Sequence, residues 1–426
     1  MLLVVVAFLV LLVMGMPVAF AIGISGALFF VQNPDLPFTI PVQVTVSQTQ
    51  NFALLAVPLF ILAGNFLNRS GLTRRLVDLA SVLTGRMRGG LAQISVTLSA
   101  LMGGVSGSAI ADAAMQARML GPEMTKRGMS RGFAAGVLSF SAILTPIVPP
   151  GIGMILYGTI GNVSIGRLFA AGIVPAILLW IALGLAVWAT ATARGYPPER
   201  TTRPTLREAG TALKAGIWAL LFPVFLLLGL RMGVFTPSEI GAFAVLYAIV
   251  VGVAIYRELR FRGFVEALET SLSDVGAVML LIALSAIFSY GIVLEQIPAA
   301  VSSAVTGVAG NLEVAMILIV LCVIAIGFFV DATVLIIILT PILLPTIRAL
   351  GGDPVHFGIV FIVAATIGNF TPPVGAAMYA VCTILKTPIG EYTRESIGLL
   401  AAVAAVALAL VFLPGLVLFL PNLLFG

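Results

Sequence analysis

Gly103-Gly104-Val105-Ser106-Gly107-Ser108-Ala109 and, further on, Leu144-Thr145-Pro146-Ile147-Val148-Pro149-Pro150-Gly151 lie inside an otherwise apolar run. Neither stretch continues a straight helix, because glycine loosens the backbone and proline removes an amide donor. Moving the sequence by 223 residues lays Gly104–Pro150 on Gly327–Pro373 without a gap. The identities include Gly104/Gly327, Ala109/Ala332, Leu120/Leu343, Pro122/Pro345, Gly128/Gly351, Ala142/Ala365, Pro149/Pro372 and Pro150/Pro373. Five of these eight pairs are Gly or Pro, the residues that set where a backbone turns or breaks. Upstream, Thr84-Gly85 matches Thr306-Gly307 at an offset of 222, a slip of one residue. One broken element therefore occurs twice.

The surroundings place that element in a bilayer. Of 426 residues 60% are hydrophobic and 9% charged, too few charges for a soluble domain. Apolar stretches near bilayer length recur, most clearly Leu2–Val31, Phe52–Leu67, Leu168–Ala193, Ile217–Leu230, Gly241–Tyr256, Gly276–Leu294, Val314–Val330 and Ser396–Leu420. The first lacks a basic leading region and a cleavage site, so it reads as a retained spanning helix. Forty-four glycines and 24 prolines fit helices that pack closely or break. The net charge of +5 does not point to nucleic acid. Nineteen of the 22 Lys and Arg residues fall in loops that share one side when the spans are threaded in order; Arg167, Arg231 and Arg348 fall on the other. The positive-inside rule makes the basic side cytoplasmic, with a cytoplasmic N-terminus and a periplasmic C-terminus in a multi-pass inner-membrane protein.

Orientation gives the repeat its meaning. The first copy is flanked by Arg86, Arg88, Lys126 and Arg127, the second by Glu295, Glu313, Asp353 and Arg348. The same element thus enters the membrane from opposite faces, the inverted-repeat plan of secondary transporters. The expected fold is all-α and polytopic, with two re-entrant helical hairpins and two Pro-broken helices. Residues 1–70 are N-terminal scaffold helices. The first repeat is 71–193, with an arm helix, a cytoplasmic-side hairpin at 92–121 and a broken helix at 132–161. A cytoplasmic linker at 194–214 and scaffold helices at 215–262 follow. The second repeat is 263–395, with an arm helix, a periplasmic-side hairpin at 312–350 and a broken helix at 355–385; a C-terminal helix occupies 396–426. The hairpin limbs, at about 10–17 residues, read as too short to span.

The breaks carry the candidate chemistry. Broken backbone in lipid must be buried in protein or face a wet cavity. The first tip offers carbonyls, the hydroxyls of Ser106 and Ser108, and the amides of a returning helix, which suit a hard cation such as Na⁺ and a substrate carboxylate. Alone it fits a helix-packing motif equally well; the Thr145-Pro146 break facing it favours a site. In the second tip, Gly327-Phe328-Phe329-Val330-Asp331-Ala332-Thr333, Asp331 is ionisable within an apolar run, a functional position by default and also a natural N-cap. Across from it stand Gly368, Asn369 and Thr371. Asp112 reads as structural, with a place on the cavity as the alternative. Thr236-Pro237-Ser238-Glu239 reads as a capping box. His356 reads as structural, and Cys322 and Cys382 as packing residues; no His/Cys metal spacing, GxSxG or P-loop is present. These features give no enzymatic constellation and no ATP-hydrolysing domain.

Together these stretches resemble the large (M) subunit of TRAP transporters, the DctM family. The likeness runs through Gly15-Met16-Pro17-Val18-Ala19-Phe20-Ala21, Val57-Pro58-Leu59-Phe60-Ile61-Leu62-Ala63-Gly64, Gly104–Ala114, Tyr157-Gly158, Ser164-Ile165-Gly166-Arg167-Leu168-Phe169, Phe235-Thr236-Pro237-Ser238-Glu239 and Thr371-Pro372-Pro373-Val374-Gly375. The resemblance implies an elevator-type importer of small organic anions, carboxylates or sialic acids, with cotransported Na⁺ and no organic cofactor. It implies two partners, a small four-helix membrane subunit and a periplasmic substrate-binding protein. It places one Na⁺ among Gly104, Ser106, Thr145, Pro146 and Val148, and a second among Gly327, Asp331, Thr333, Gly368, Asn369 and Thr371. Substrate would lie between the tips, against Ser106, Ser108, Gly151, Asp331 and Thr371. Gly151 departs from the serine common in the family, which removes a hydroxyl expected to line the cavity. The alternatives are a stand-alone carboxylate transporter or antiporter of the same superfamily, and a non-transporting membrane scaffold.

Overall fold

Lipid can cover an apolar helix face, but the two helices leading into the proline breaks are enclosed by protein instead. All residues from Gly132 to Ser141 are buried in helix Arg131–Ser141, and all from Val355 to Asn369 in helix Pro354–Asn369. The computed structural model describes residues 2–426, which are helical with no strand. Among the described residues seven helices are long and apolar enough to cross a membrane.

The breaks organise the interior. After Ser141 the first helix tightens to a 3₁₀ turn at Ala142–Leu144, runs irregularly through residues 145–151, and resumes as Ile152–Gly161. The second stops at Asn369 and resumes as Ala376–Leu385. Pro149-Pro150 and Pro372-Pro373 are both cis. The first hairpin pairs Gly90–Ser106 with Ala109–Met119, and the second pairs Leu312–Gly327 with Ala332–Ala349. The returning limb Ala332–Ala349 has 18 residues and the composition of a spanning helix, longer than the sequence reading allowed. Its prolines, Pro341 and Pro345, lie within the helix rather than ending it. Each repeat has an arm helix, Leu72–Thr84 or Ile297–Val308, and the latter meets Leu312–Gly327 at 118°.

The repeats exchange partners. Ile152–Gly161 of the first broken helix packs on the second hairpin's returning limb. Ala376–Leu385 of the second packs on the first hairpin's returning limb. Neither repeat therefore completes its own core. Around this body Val18–Gln32, Ala56–Arg69, Leu206–Arg231, Pro237–Val250 and the 34-residue helix Phe261–Leu294 form a scaffold.

Two helices are divided where the sequence suggested one. Leu2–Val13 and Val18–Gln32 replace a single span over Leu2–Val31, because Gly15 adopts a φ of +81° and Pro17 precedes the new helix. Ile389–Phe412 and Pro414–Phe425 replace the single C-terminal helix, with Pro414 starting the second. The connector after Arg194 is strapped down: the Glu199 and Arg200 amides donate to the Gly85 carbonyl at 2.8 and 3.0 Å. Glu199 also pairs with Arg127, and Arg194 with Glu395.

Candidate functional site

Both hairpin tips are capped by residues 223 positions apart. Ser108 accepts from the Ala111 amide at 3.4 Å, and Asp331 accepts from the Thr333 amide at 2.8 Å. A capped helix start leaves other amides pointing past the cap, which is where an anion is stabilised. The two tips converge on one cavity of about 350 Å³.

That cavity is walled by Ser106 and Ser108 from one tip, Asp331 and Thr333 from the other, Pro146 from the first break and Asn369 from the second. Gly104, Thr145, Val148, Gly151, Gly327, Gly368 and Thr371 lie outside its wall. Thr145 and Thr371 are buried, and Thr371 donates its hydroxyl to the Ile367 carbonyl at 2.7 Å. Gly327 and Gly368 form the crossing of hairpin and broken helix: a Cβ on Gly368 would stand 2.6 Å from the Gly327 Cα. Gly151 is set for a backbone reason, since a Cβ there would lie 2.0 Å from the Pro146 carbonyl oxygen. The structure therefore explains Gly151 by the tightness of the break, where the sequence reading saw a missing cavity hydroxyl.

Oxygen ligands for a cation are present at both breaks. Among the described residues no hydrogen bond reaches the carbonyls of residues 145–150. At the second break Asn369 donates through Nδ2 to Asp331 at 3.0 Å, while its Oδ1 is buried without a partner. A buried polar atom left unpaired is costly, and a bound cation would relieve that cost. The residues present thus fit the ions the sequence suggested, by free carbonyls on one side and by a carboxylate with an orphan amide oxygen on the other.

Four polar wall residues were not among the sequence candidates, one of them Thr366 of Pro354–Asn369. Asn65 and Asn68 come from Ala56–Arg69, and Asp274 from Phe261–Leu294. Asn65 donates to Ser271 at 3.0 Å and to Asp274 at 3.1 Å, tying the two scaffold helices together. Asp274, lying within an apolar helix, was the available signal. The cavity wall holds two carboxylates, Asp274 and Asp331, and no Lys, Arg or His.

Asp112 lies behind the first tip, 1% exposed. It accepts from Ser99 at 2.8 Å, from Thr145 at 2.8 Å, and from Gln116 at 3.1 and 3.0 Å. It therefore fastens the first break to both hairpin limbs, a reach that its sequence position did not reveal. His356 is structural, its Nε2 donating to the Leu410 carbonyl at 2.7 Å. Thr236 and Glu239 form the expected reciprocal cap. Among the described residues no group of three His, Cys, Asp or Glu side chains is placed to hold a metal.

Paired broken helices meeting two capped tips around a polar cavity define a membrane transporter. Residues 5–416 match the family described as Tripartite ATP-independent periplasmic transporter, DctM component, and the chain belongs to it. It is 33% identical, over 95% of each chain, to the 2,3-diketo-L-gulonate TRAP transporter large permease protein YiaN of Escherichia coli K12. It is 33% identical to the sialic acid TRAP transporter large permease protein SiaM of Vibrio cholerae, covering 98% of this chain and 97% of that one. These relatives are transport permeases, not enzymes. The fold is similar to that of the Alcanivorax borkumensis YdaH transporter, with a TM-score of 0.64 and 16% identity over 87% of each chain.

Proposed function

We propose that this chain carries a small organic anion, of the carboxylate or sialic-acid class, across the cytoplasmic membrane in company with Na⁺. One observation carries the reading: the cavity between the tips has carboxylates and no basic side chain. An anion placed there without cations would meet repulsion in a medium that screens poorly. With one cation held at residues 104–106 and 145–148 and another at Asp331, Asn369 and the Gly327–Gly368 crossing, the same cavity becomes receptive. Substrate oxygens would then be met by Ser106, Ser108 and the amides that open the two returning limbs. Cargo and ions thereby bind interdependently, which is the requirement for symport.

The body built from hairpins and broken helices is taken to move as a unit against the scaffold, in the elevator manner. Asn65 and Asn68 lie within a turn of Arg69, which pairs with Glu266 at 2.5 Å at the arginine-rich end of the molecule. With that end cytoplasmic, the cavity faces inward. The N-terminus is then cytoplasmic. The C-terminal helix, where Arg167 donates to Asn422 at 2.9 Å, ends at the periplasmic face. A periplasmic substrate-binding protein would deliver the solute and a small four-helix subunit would extend the scaffold, as expected of a TRAP large permease.

Uptake of radiolabelled organic acids into proteoliposomes tests this, with the chain, its small subunit and the binding protein present. Uptake should require the binding protein and an inward Na⁺ gradient. Uptake by this chain alone would instead establish the stand-alone carrier, and uptake indifferent to Na⁺ would sink the ion coupling.

A further inference from the structure

The two ion sites are chemically unequal. The second contains a carboxylate, Asp331, in the cavity wall. The first, as read above, is built from carbonyl and hydroxyl oxygens alone. A cation held only by neutral oxygens in a low-dielectric interior lacks a counter-charge, and desolvation then works against binding.

Asp112 presents the converse problem. Its carboxylate is buried, no basic group pairs with it among the described residues, and every hydrogen bond it makes is one it accepts. One of those donors is the Thr145 hydroxyl, at 2.8 Å, from the first break itself. Thr145 thus stands between a carboxylate without a cation and a cation site without a carboxylate. Donation to Asp112 also leaves the Thr145 oxygen lone pairs free to face an ion. The network is stiff, because Gln116 donates to Ser99 at 2.6 Å as well as to Asp112, and accepts from Ser95 at 2.7 Å.

We infer that Asp112 is the positioning residue and counter-charge of the first cation site, acting through Thr145. This rests on the Na⁺-coupled reading above. Each half of the molecule then supplies one carboxylate to one ion, by different routes: the second in the cavity wall at its tip, the first one hydrogen bond behind. At an effective dielectric near 20, a unit charge at such a distance is worth roughly ten- to hundredfold in ion affinity.

The test is Na⁺-dependent thermal stability of the purified permease complex, titrating NaCl against choline chloride at constant ionic strength. Wild type should be stabilised by Na⁺. Asp112→Asn should need at least about tenfold more Na⁺ for half of that effect. In choline it should melt no lower than wild type, since the substitution removes an unpaired buried charge. A half-effect within about twofold of wild type would overturn the proposal, as would a loss of stability in choline with the Na⁺ response intact, which marks a purely structural network. Should Asp112→Asn fail to fold, Gln116→Lys decides. It sets an ammonium beside the carboxylate, so it should melt higher in choline and lose the part of the Na⁺ response belonging to the first site; a full response retained there would refute the role. A wild type indifferent to Na⁺ would instead remove the coupled reading on which this one depends.

Discussion

Single residues show where the sequence was readable and where it was not. Asp331 was legible because an ionisable group in an apolar run is costly, and it caps its helix and receives Asn369. Asp112 is just as costly, yet its meaning depends on Ser99 and Thr145, which arrive from 13 and 33 residues away. Gly151 was legible as a departure but not as a constraint, because the Pro146 carbonyl that crowds it is set by the fold of the break. Placing a hydroxyl there with Gly151→Ser should accordingly harm rather than help. The forced backbone shift should cost about 1–3 kcal/mol, read as a lower melting temperature and reduced uptake. Asn369→Ala should leave the fold nearly intact but free Asp331 and delete the orphan oxygen. Na⁺ titration of uptake should show a half-saturation at least about tenfold higher, corresponding to loss of one charge-assisted hydrogen bond.

At the level of elements, punctuation carried the prediction. Matching Gly and Pro at one offset located both hairpins and both breaks, because these residues act on their own backbone and need no tertiary partner. The exchanged packing, with each broken helix completing the other repeat's hairpin, left no local trace. The division of the first and last helices did leave one, in Gly15, Pro17 and Pro414, inside runs apolar enough to read as single spans. The caps separate structural from functional positions. Thr236→Ala should cost about 1 kcal/mol of stability and leave the Na⁺ concentration for half-maximal uptake unchanged. Asp331→Ala removes a comparable cap, but it should abolish coupled uptake while costing no more in melting temperature. Parallel melting and uptake curves for the two variants check this, and equal losses of uptake would reduce Asp331 to a cap.

The whole molecule divides into the body of hairpins and broken helices, which on the proposed elevator reading moves, and a scaffold whose contact with it includes backbone. A Cβ on Gly64 would sit 2.7 Å from the Val105 carbonyl at the first tip. Gly64→Leu should therefore block the tip from passing this helix. Uptake should fall at least tenfold, while Na⁺-dependent stabilisation, which needs only the ion sites, persists; normal uptake would show that the tip does not travel along this surface. The scaffold contribution to the cavity, Asn65, Asn68 and Asp274, left no mark in the repeat match because it lies outside the paired segments Gly104–Pro150 and Gly327–Pro373.

A cavity whose only charged side chains are acidic also bears on leakage. A carrier that could move its solute without ions would dissipate the pool it had accumulated as soon as it faced the cell interior unloaded. On the proposed Na⁺-coupled reading, with Asp274 and Asp331 in the wall and no Lys, Arg or His beside them, the ion-free form would reject an anionic cargo by charge. Retention of imported solute would then follow from the charge of the binding chamber itself.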